Sequence, residues 1–204
     1  AKGTIREAMR ILEAQGLVKT RTGPGGGSFV HEVSEMRARS LLGNYFYFKD
    51  PSISDIYEVR IALEPVLVRN LAGKLSDDDL AELETNIARY DAPPHDAEED
   101  RAQHIASLDF HRILARHSAN PLLGFLIGFM ARMLSDLTVY RRLYEPRNYA
   151  LWRKGRDYQR ELLAALRDGD GARAHDIMLA HMQGAREMME MQEAEMARRF
   201  LSDR

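Results

Sequence analysis

"RTGPGGGSFV", residues Arg21 to Val30, places four glycines and one proline within residues 23–27 and then turns apolar. A phosphate-cradling loop needs G-x-x-x-x-G-K-[ST], and a dinucleotide fingerprint needs G-x-G-x-x-G between a strand and a helix. This stretch has neither spacing and runs instead into Ser28-Phe29-Val30, a strand pattern. Its flanks therefore decide its meaning. Upstream, Ile5, Met9, Leu12 and Leu17 recur at helical spacing from Thr4 to Leu17, with Gly16 at the C-terminal end. Leu17–Thr22 and Ser28–Val30 then read as two short strands around a glycine tip, a β-hairpin directly after a helix.

Bulk properties narrow the function classes. The chain has 204 residues, 45% hydrophobic and 29% charged, the balance of an ordinary globular protein. Its net charge of −2 is unevenly spread: residues 1–30 carry five basic against two acidic side chains. A basic head on an acidic body points to a polyanion partner at the N-terminal end. The absence of cysteine rules out disulfides, thiolate zinc sites and cysteine nucleophiles, and accords with a cytoplasmic setting. The longest uncharged apolar run, Pro121 to Ala131, has 11 residues, against the roughly 20 that cross a bilayer, so no membrane partner is expected.

Beyond about Glu35 the pattern is helical. Residues 34–53 read as a connector with an amphipathic piece and an aromatic cluster at Tyr45–Phe48. Helices follow at about 55–74, 77–90, 97–117, 121–144, 148–167 and from Gly171 to about 200. Ser76 and Asn120 serve as N-caps, Pro121 and Pro146 as starts, and Gly169-Asp170 as a C-cap followed by an N-cap. The expected fold is mainly α: a partial winged helix-turn-helix, recognition helix plus hairpin wing, followed by an antiparallel bundle of six or so helices. The expected domains are 1–33 for the winged helix, 34–53 for the connector and 54–204 for the bundle. In such a module Lys2, Thr4 and Arg6 lie near the end of the helix that enters the major groove. The glycine tip would approach the neighbouring backbone or minor groove.

The run "GTIREAMRILEAQGLVKTRTGPGGGSFV" resembles the recognition helix and wing of the GntR family of bacterial transcription regulators. That resemblance places Lys2, Thr4, Arg6, Thr22 and Gly23 at DNA-contacting positions and implies that the first two helices of the module are missing. Further on, "DIYEVRIALEP", "FHRILARHSANPLL" and "ALRDGDGARAHDIMLAHM" resemble the FadR-type branch, whose effector domain is the all-helical FCD domain. The resemblance implies a homodimer that binds a double-stranded DNA operator as a repressor, under the control of a small metabolite.

Face analysis identifies which polar residues turn inward. Arg60 shares a stripe with Ile56, Leu63 and Leu67; His111 with Ser107, Leu108 and Leu114; Gln159 with Leu162, Leu163 and Leu166; His181 with Met178, Ala185 and Met188. These five polar groups need partners, because burial without one costs about 1–3 kcal/mol each. Arg60 suits a carboxylate-bearing effector, its alternative being an internal pair with Glu64. In metal-binding members of the branch, the resemblance implies an Asp and three histidines around a divalent metal. Here those positions are Ser107, His111, Gln159 and His181, so only His111 and His181 remain as metal ligands. No cofactor is expected, since zinc takes three or four strong donors. The competing function class is a metal-dependent all-α enzyme using His111 and His181, which lacks a carboxylate-histidine pair on one helix face.

Overall fold

A computed structural model describes residues 2–143 and 149–202; Pro146 lies outside them. The chain divides into two compact units, Ala1–Asp50 and Pro51–Arg204. The first contains α1 (Lys2–Ala14), β1 (Val18–Arg21), β2 (Gly27–Val30) and α2 (Glu35–Tyr47). The second contains α3 (Ile53–Leu71), α4 (Asp77–Ala88), α5 (Ala97–Arg116), α6 (Pro121–Tyr140), α7 (Tyr149–Arg167) and α8 (Gly171–Ser202).

In the first unit, α1 ends where Gly16 takes φ +74 and the Leu17 amide donates to the Leu12 carbonyl at 3.0 Å, a helix stop that favours glycine. The strands pair antiparallel with Val18 opposite Val30 and Arg21 opposite Gly27. The Thr20 amide donates to Glu13 Oε1 at 3.0 Å, which ties the hairpin to the helix. At the tip, Gly26 N–H donates to the Gly23 carbonyl at 2.8 Å. A Cβ on Gly26 would lie 2.5 Å from the Arg21 carbonyl oxygen, so the turn closes only on glycine. The expected connector holds the regular helix α2, capped by the Ser34 side chain, which accepts from Arg37 N–H at 3.3 Å.

In the second unit, helix starts are written in short-range chemistry. Ser52 with Asp55, and Ser76 with Asp79, form reciprocal capping boxes, and Asn120 caps α6 ahead of Pro121. Helices α3 and α7 end against one another: Gly73 N–H donates to the Leu166 carbonyl at 2.9 Å, and a Cβ on Gly73 would lie 3.2 Å from Gly169 Cα. Both glycines have positive φ, so the turn into α8 is as tight as the backbone permits. The core is one cluster that includes Ile53, Leu67, Val68, Leu83, Phe110, Leu114, Ile127, Leu134, Leu162, Leu166 and Met178.

Helix α6 packs against α5 and α3. Among the described residues it is the one helix whose 20-residue length and composition would suffice to cross a membrane. That exceeds the uncharged 11-residue run because Arg132 and Asp136 are its sole charged residues. It approaches α5 closely at Gly124, where a Cβ would lie 2.6 Å from the Ala115 carbonyl oxygen.

Candidate functional site

The two groups of residues singled out in the sequence fall in different units. Lys2, Thr4 and Arg6 are exposed on the first turns of α1, and Thr22 and Gly23 are exposed at the hairpin tip, where Gly23 has φ +97. Arg60, Ser107, His111, Gln159 and His181 are brought together between α3, α5, α7 and α8.

Arg60 and Glu64 lie one turn apart on the inward face of α3, each 1% exposed. Arg60 Nε donates to Glu64 Oε1 at 2.5 Å, so the internal pair is formed. The second Glu64 oxygen meets His111 Nδ1. On the other side of that ring, His111 Nε2 is 2.8 Å from the Tyr158 hydroxyl. Gln159 Nε2 donates to the Tyr158 oxygen at 3.1 Å and to the Ser107 carbonyl at 3.2 Å. Its own carbonyl accepts from the Tyr90 hydroxyl. Ser107 thus enters the cluster through its backbone.

These contacts fix the proton positions. A carboxylate only accepts, so His111 Nδ1 carries hydrogen and Nε2 is left to accept from Tyr158 O–H. The tyrosine oxygen is then free to accept from Gln159, and the Gln159 oxygen to accept from Tyr90. Every donor in the chain points toward Glu64, and Arg60 donates to it from the opposite side. Burial alone would push the Glu64 carboxyl up, but Arg60 and His111 outweigh it and hold the group well below the usual carboxylate range. Burial lowers His111 against the opposing pull of Glu64. It lowers His181 much further, helped by His111 and Arg60. Burial likewise pushes the Tyr158 phenol well up. The cluster at neutral pH is therefore one cation, one anion and neutral donors and acceptors.

Two features extend beyond this chain of bonds. His181 stacks on Tyr158 at an interplanar angle of 10° and lies nearly parallel to His111, with ring centroids 5.9 Å apart. The Arg60 guanidinium packs 5.2 Å from the Tyr57 ring centroid, and its Nη2 is buried without a hydrogen-bond partner among the described residues. A buried guanidinium nitrogen with nothing to donate to is costly, and it is the natural place for an anion.

The donor set does not suit a divalent metal. Both ring nitrogens of His111 are engaged by Glu64 and Tyr158, which leaves no lone pair to offer. Among the described residues no group of three or more His, Asp or Glu side chains is placed to hold a metal ion. The expectation of His111 and His181 as ligands therefore meets a hydrogen-bonded imidazole where a free one is needed. Asp109, two residues from His111, faces elsewhere and pairs with Arg112 at 2.6 Å.

Sequence reasoning missed Tyr158 and Tyr90 and gave Glu64 only a secondary part. The signal for Tyr158 was its place on the inward stripe of α7 with Leu151 and Leu162, where a hydroxyl needs a partner as much as an amide does.

The FCD domain family matches residues 55–184, within the helical unit. Over 195 residues the chain is 26% identical to the HTH-type transcriptional regulator LutR of Bacillus subtilis (strain 168), covering 93% of this chain and 84% of that protein. It is 24% identical over 190 residues to the uncharacterized HTH-type transcriptional regulator YcbG of the same organism, covering 92% of this chain and 73% of YcbG. Among solved structures, Streptococcus agalactiae GntR shares the fold with a TM-score of 0.64 at 24% identity, over 92% of this chain and 82% of that one. A GntR family transcriptional regulator from Pseudomonas syringae pv. tomato str. DC3000 shares it at 0.56 and 18% identity, over 95% of this chain and 71% of that one. With its six-helix unit matched over most of its length, this chain belongs to the FCD domain family.

Proposed function

We propose that this FCD-domain protein is a DNA-binding transcription regulator, a cytoplasmic homodimeric repressor whose operator affinity is set by a small carboxylate bound in the helical unit. Residues 1–33 contact DNA, 34–53 connect, and 54–204 bind the effector and dimerise. The observation that carries the effector reading is Arg60: 1% exposed, paired through Nε, and left with Nη2 unpartnered beside the aromatic ring of Tyr57. Lys2 and Arg6, exposed on the first turns of α1, and the exposed Thr22-Gly23 tip support the DNA reading. The regulator names of LutR and YcbG agree with it. Val59 and Val66 on α3 and Leu122 and Leu126 on α6 are exposed apolar residues that a second copy would cover.

Control follows from differential affinity: the effector acts only insofar as it binds the DNA-competent and DNA-incompetent arrangements unequally. A metal-dependent enzyme built on His111 and His181 finds no support in a histidine whose nitrogens are both hydrogen-bonded.

The test is fluorescence anisotropy with an operator selected from random duplex DNA, using the intact protein. Arg6→Ala should lower affinity at least about tenfold and reduce the salt slope by about one, with the helical unit still folded and dimeric. Unchanged affinity and slope would refute the DNA assignment.

A further inference from the structure

Helix α1 ends with a partner for each of its last carbonyls, and one of those partners comes from another helix. The final four carbonyls of an α-helix have no amide within it to accept from. Here Ile11 accepts from Gln15 N–H at 2.9 Å, Glu13 from Gly16 N–H at 2.9 Å and Leu12 from Leu17 N–H at 3.0 Å. The fourth, the Ala14 carbonyl, accepts from Nη2 of Arg37 on α2. Helix α1 has no basic residue in its own last turn, so Arg37 also supplies the cation that a helix C-terminus favours.

The guanidinium reaches Ala14 by crossing Gly16. A Cβ on Gly16 would lie 3.2 Å from both Cδ and Nη1 of Arg37, so the glycine that turns the chain at φ +74 also leaves the path open for the arginine. Arg37 is held at its own end as well: its main-chain N–H donates to the hydroxyl of Ser34, the cap of α2, at 3.3 Å. One residue thus closes the end of α1 and belongs to the first turn of α2. Apolar packing does not join the two helices, since among the described residues neither has a buried side chain. Residues 31–34, which connect β2 to α2, are exposed and lie outside regular structure.

We propose that Arg37 fixes the direction of α1 relative to α2, and so determines which spacing of DNA half-sites the dimer accepts. This rests on reading residues 1–33 as the DNA-contacting module of a dimer, and adds the positioning residue that aims it. Helix α1 has 13 residues and is therefore about 20 Å long. A pivot of about 10° at residues 31–34 would carry its N-terminal end, with Lys2 and Arg6, through about 3.5 Å, close to one base-pair step. In a two-fold dimer that displacement changes the distance between the two recognition helices, which is what half-site spacing measures.

Fluorescence anisotropy of the intact protein tests this with three duplexes: the selected operator, the same operator with one base pair added or removed at its centre, and a single half-site. Wild type should lose about tenfold or more in affinity on either change of spacing. Arg37→Met keeps an aliphatic stem but cannot donate. It should lose less than about threefold on the same changes, while binding the single half-site with wild-type affinity and salt slope. Arg37→Lys still donates and carries the charge, and should restore most of the wild-type penalty. Equal penalties in Arg37→Met and wild type, a lysine variant no better than methionine, or a wild type indifferent to spacing would overturn the proposal and leave DNA binding standing. Weakened half-site binding in Arg37→Met would overturn it too, making Arg37 a phosphate contact where the salt slope falls by about one and a mere support of α1 where it does not. Failure of wild type to bind any selected duplex would refute the DNA reading itself.

Discussion

Removing Glu64 is the sharpest probe of the buried network. Glu64→Leu deletes the one anion in a site where Arg60 is 1% exposed, so a cation is left without a partner and His111 Nδ1 loses its acceptor. Breaking a buried pair from one side costs about 3–5 kcal/mol, because the remaining charge has neither water nor a counterion. For a unit of this size that corresponds to a fall in Tm of about 6–20 °C. Arg60→Met should cost a similar amount by stranding the carboxylate. The double variant Arg60→Met/Glu64→Leu removes both charges together, and its loss should shrink to the stranded His111 donor, about 1–3 kcal/mol. The assay is urea unfolding followed by far-UV circular dichroism, with the three variants closed into a double-mutant cycle. A coupling energy of about 3 kcal/mol or more is expected. Two single losses below about 1 kcal/mol that simply add would show that the charges do not depend on one another, and the network reading would fail.

Two further perturbations have signs fixed by the geometry. Stability should fall as pH drops from about 6.5 toward 4, because burial lowers His104 from 6.5 to about 4, leaving it neutral in the fold while the unfolded chain takes up a proton. The contribution is complete above 6.5 and gone below 4; His104 is half-buried, so it amounts to on the order of 2 kcal/mol. Urea midpoints at pH 7.5, 5.5 and 4.5 should decline in that order, and less steeply in His104→Gln, where the shares of the lowered His111 and His181 remain; an equal slope in wild type and variant would contradict the assignment. Separately, Gly124→Ala should destabilise by about 1–3 kcal/mol in the same unfolding assay, since its Cβ would lie 2.6 Å from the Ala115 carbonyl oxygen, an unyielding backbone atom. A neutral outcome there would mean that α5 and α6 separate at little cost.

Helix positions were legible because their signals are local. Ser76 with Asp79, and Asn120 ahead of Pro121, state their caps within four residues, and the observed starts at Asp77 and Pro121 follow them. α2 was legible only as an amphipathic piece within a connector, its bounds blurred by the aromatic run, although Ser34 caps it as plainly as the others. The inward placement of Arg60, His111 and Gln159 was legible from stripes on single helices. What those residues do to one another was not, because the bonds join positions 47 to 69 apart in the chain.

Tyr158 illustrates the limit. On its own helix it is an aromatic residue on an apolar face, and only contact with His111 and Gln159 turns its hydroxyl into the link that sets the histidine tautomer. The glycines make the same point from the opposite side. Gly124 and Gly155 are both helical glycines on packed faces, indistinguishable by local pattern. One is required because a neighbouring carbonyl leaves no room for a methyl group, while a Cβ on the other would meet none of the described residues within 4 Å. That difference exists only between helices, where no pattern along a single helix can show it.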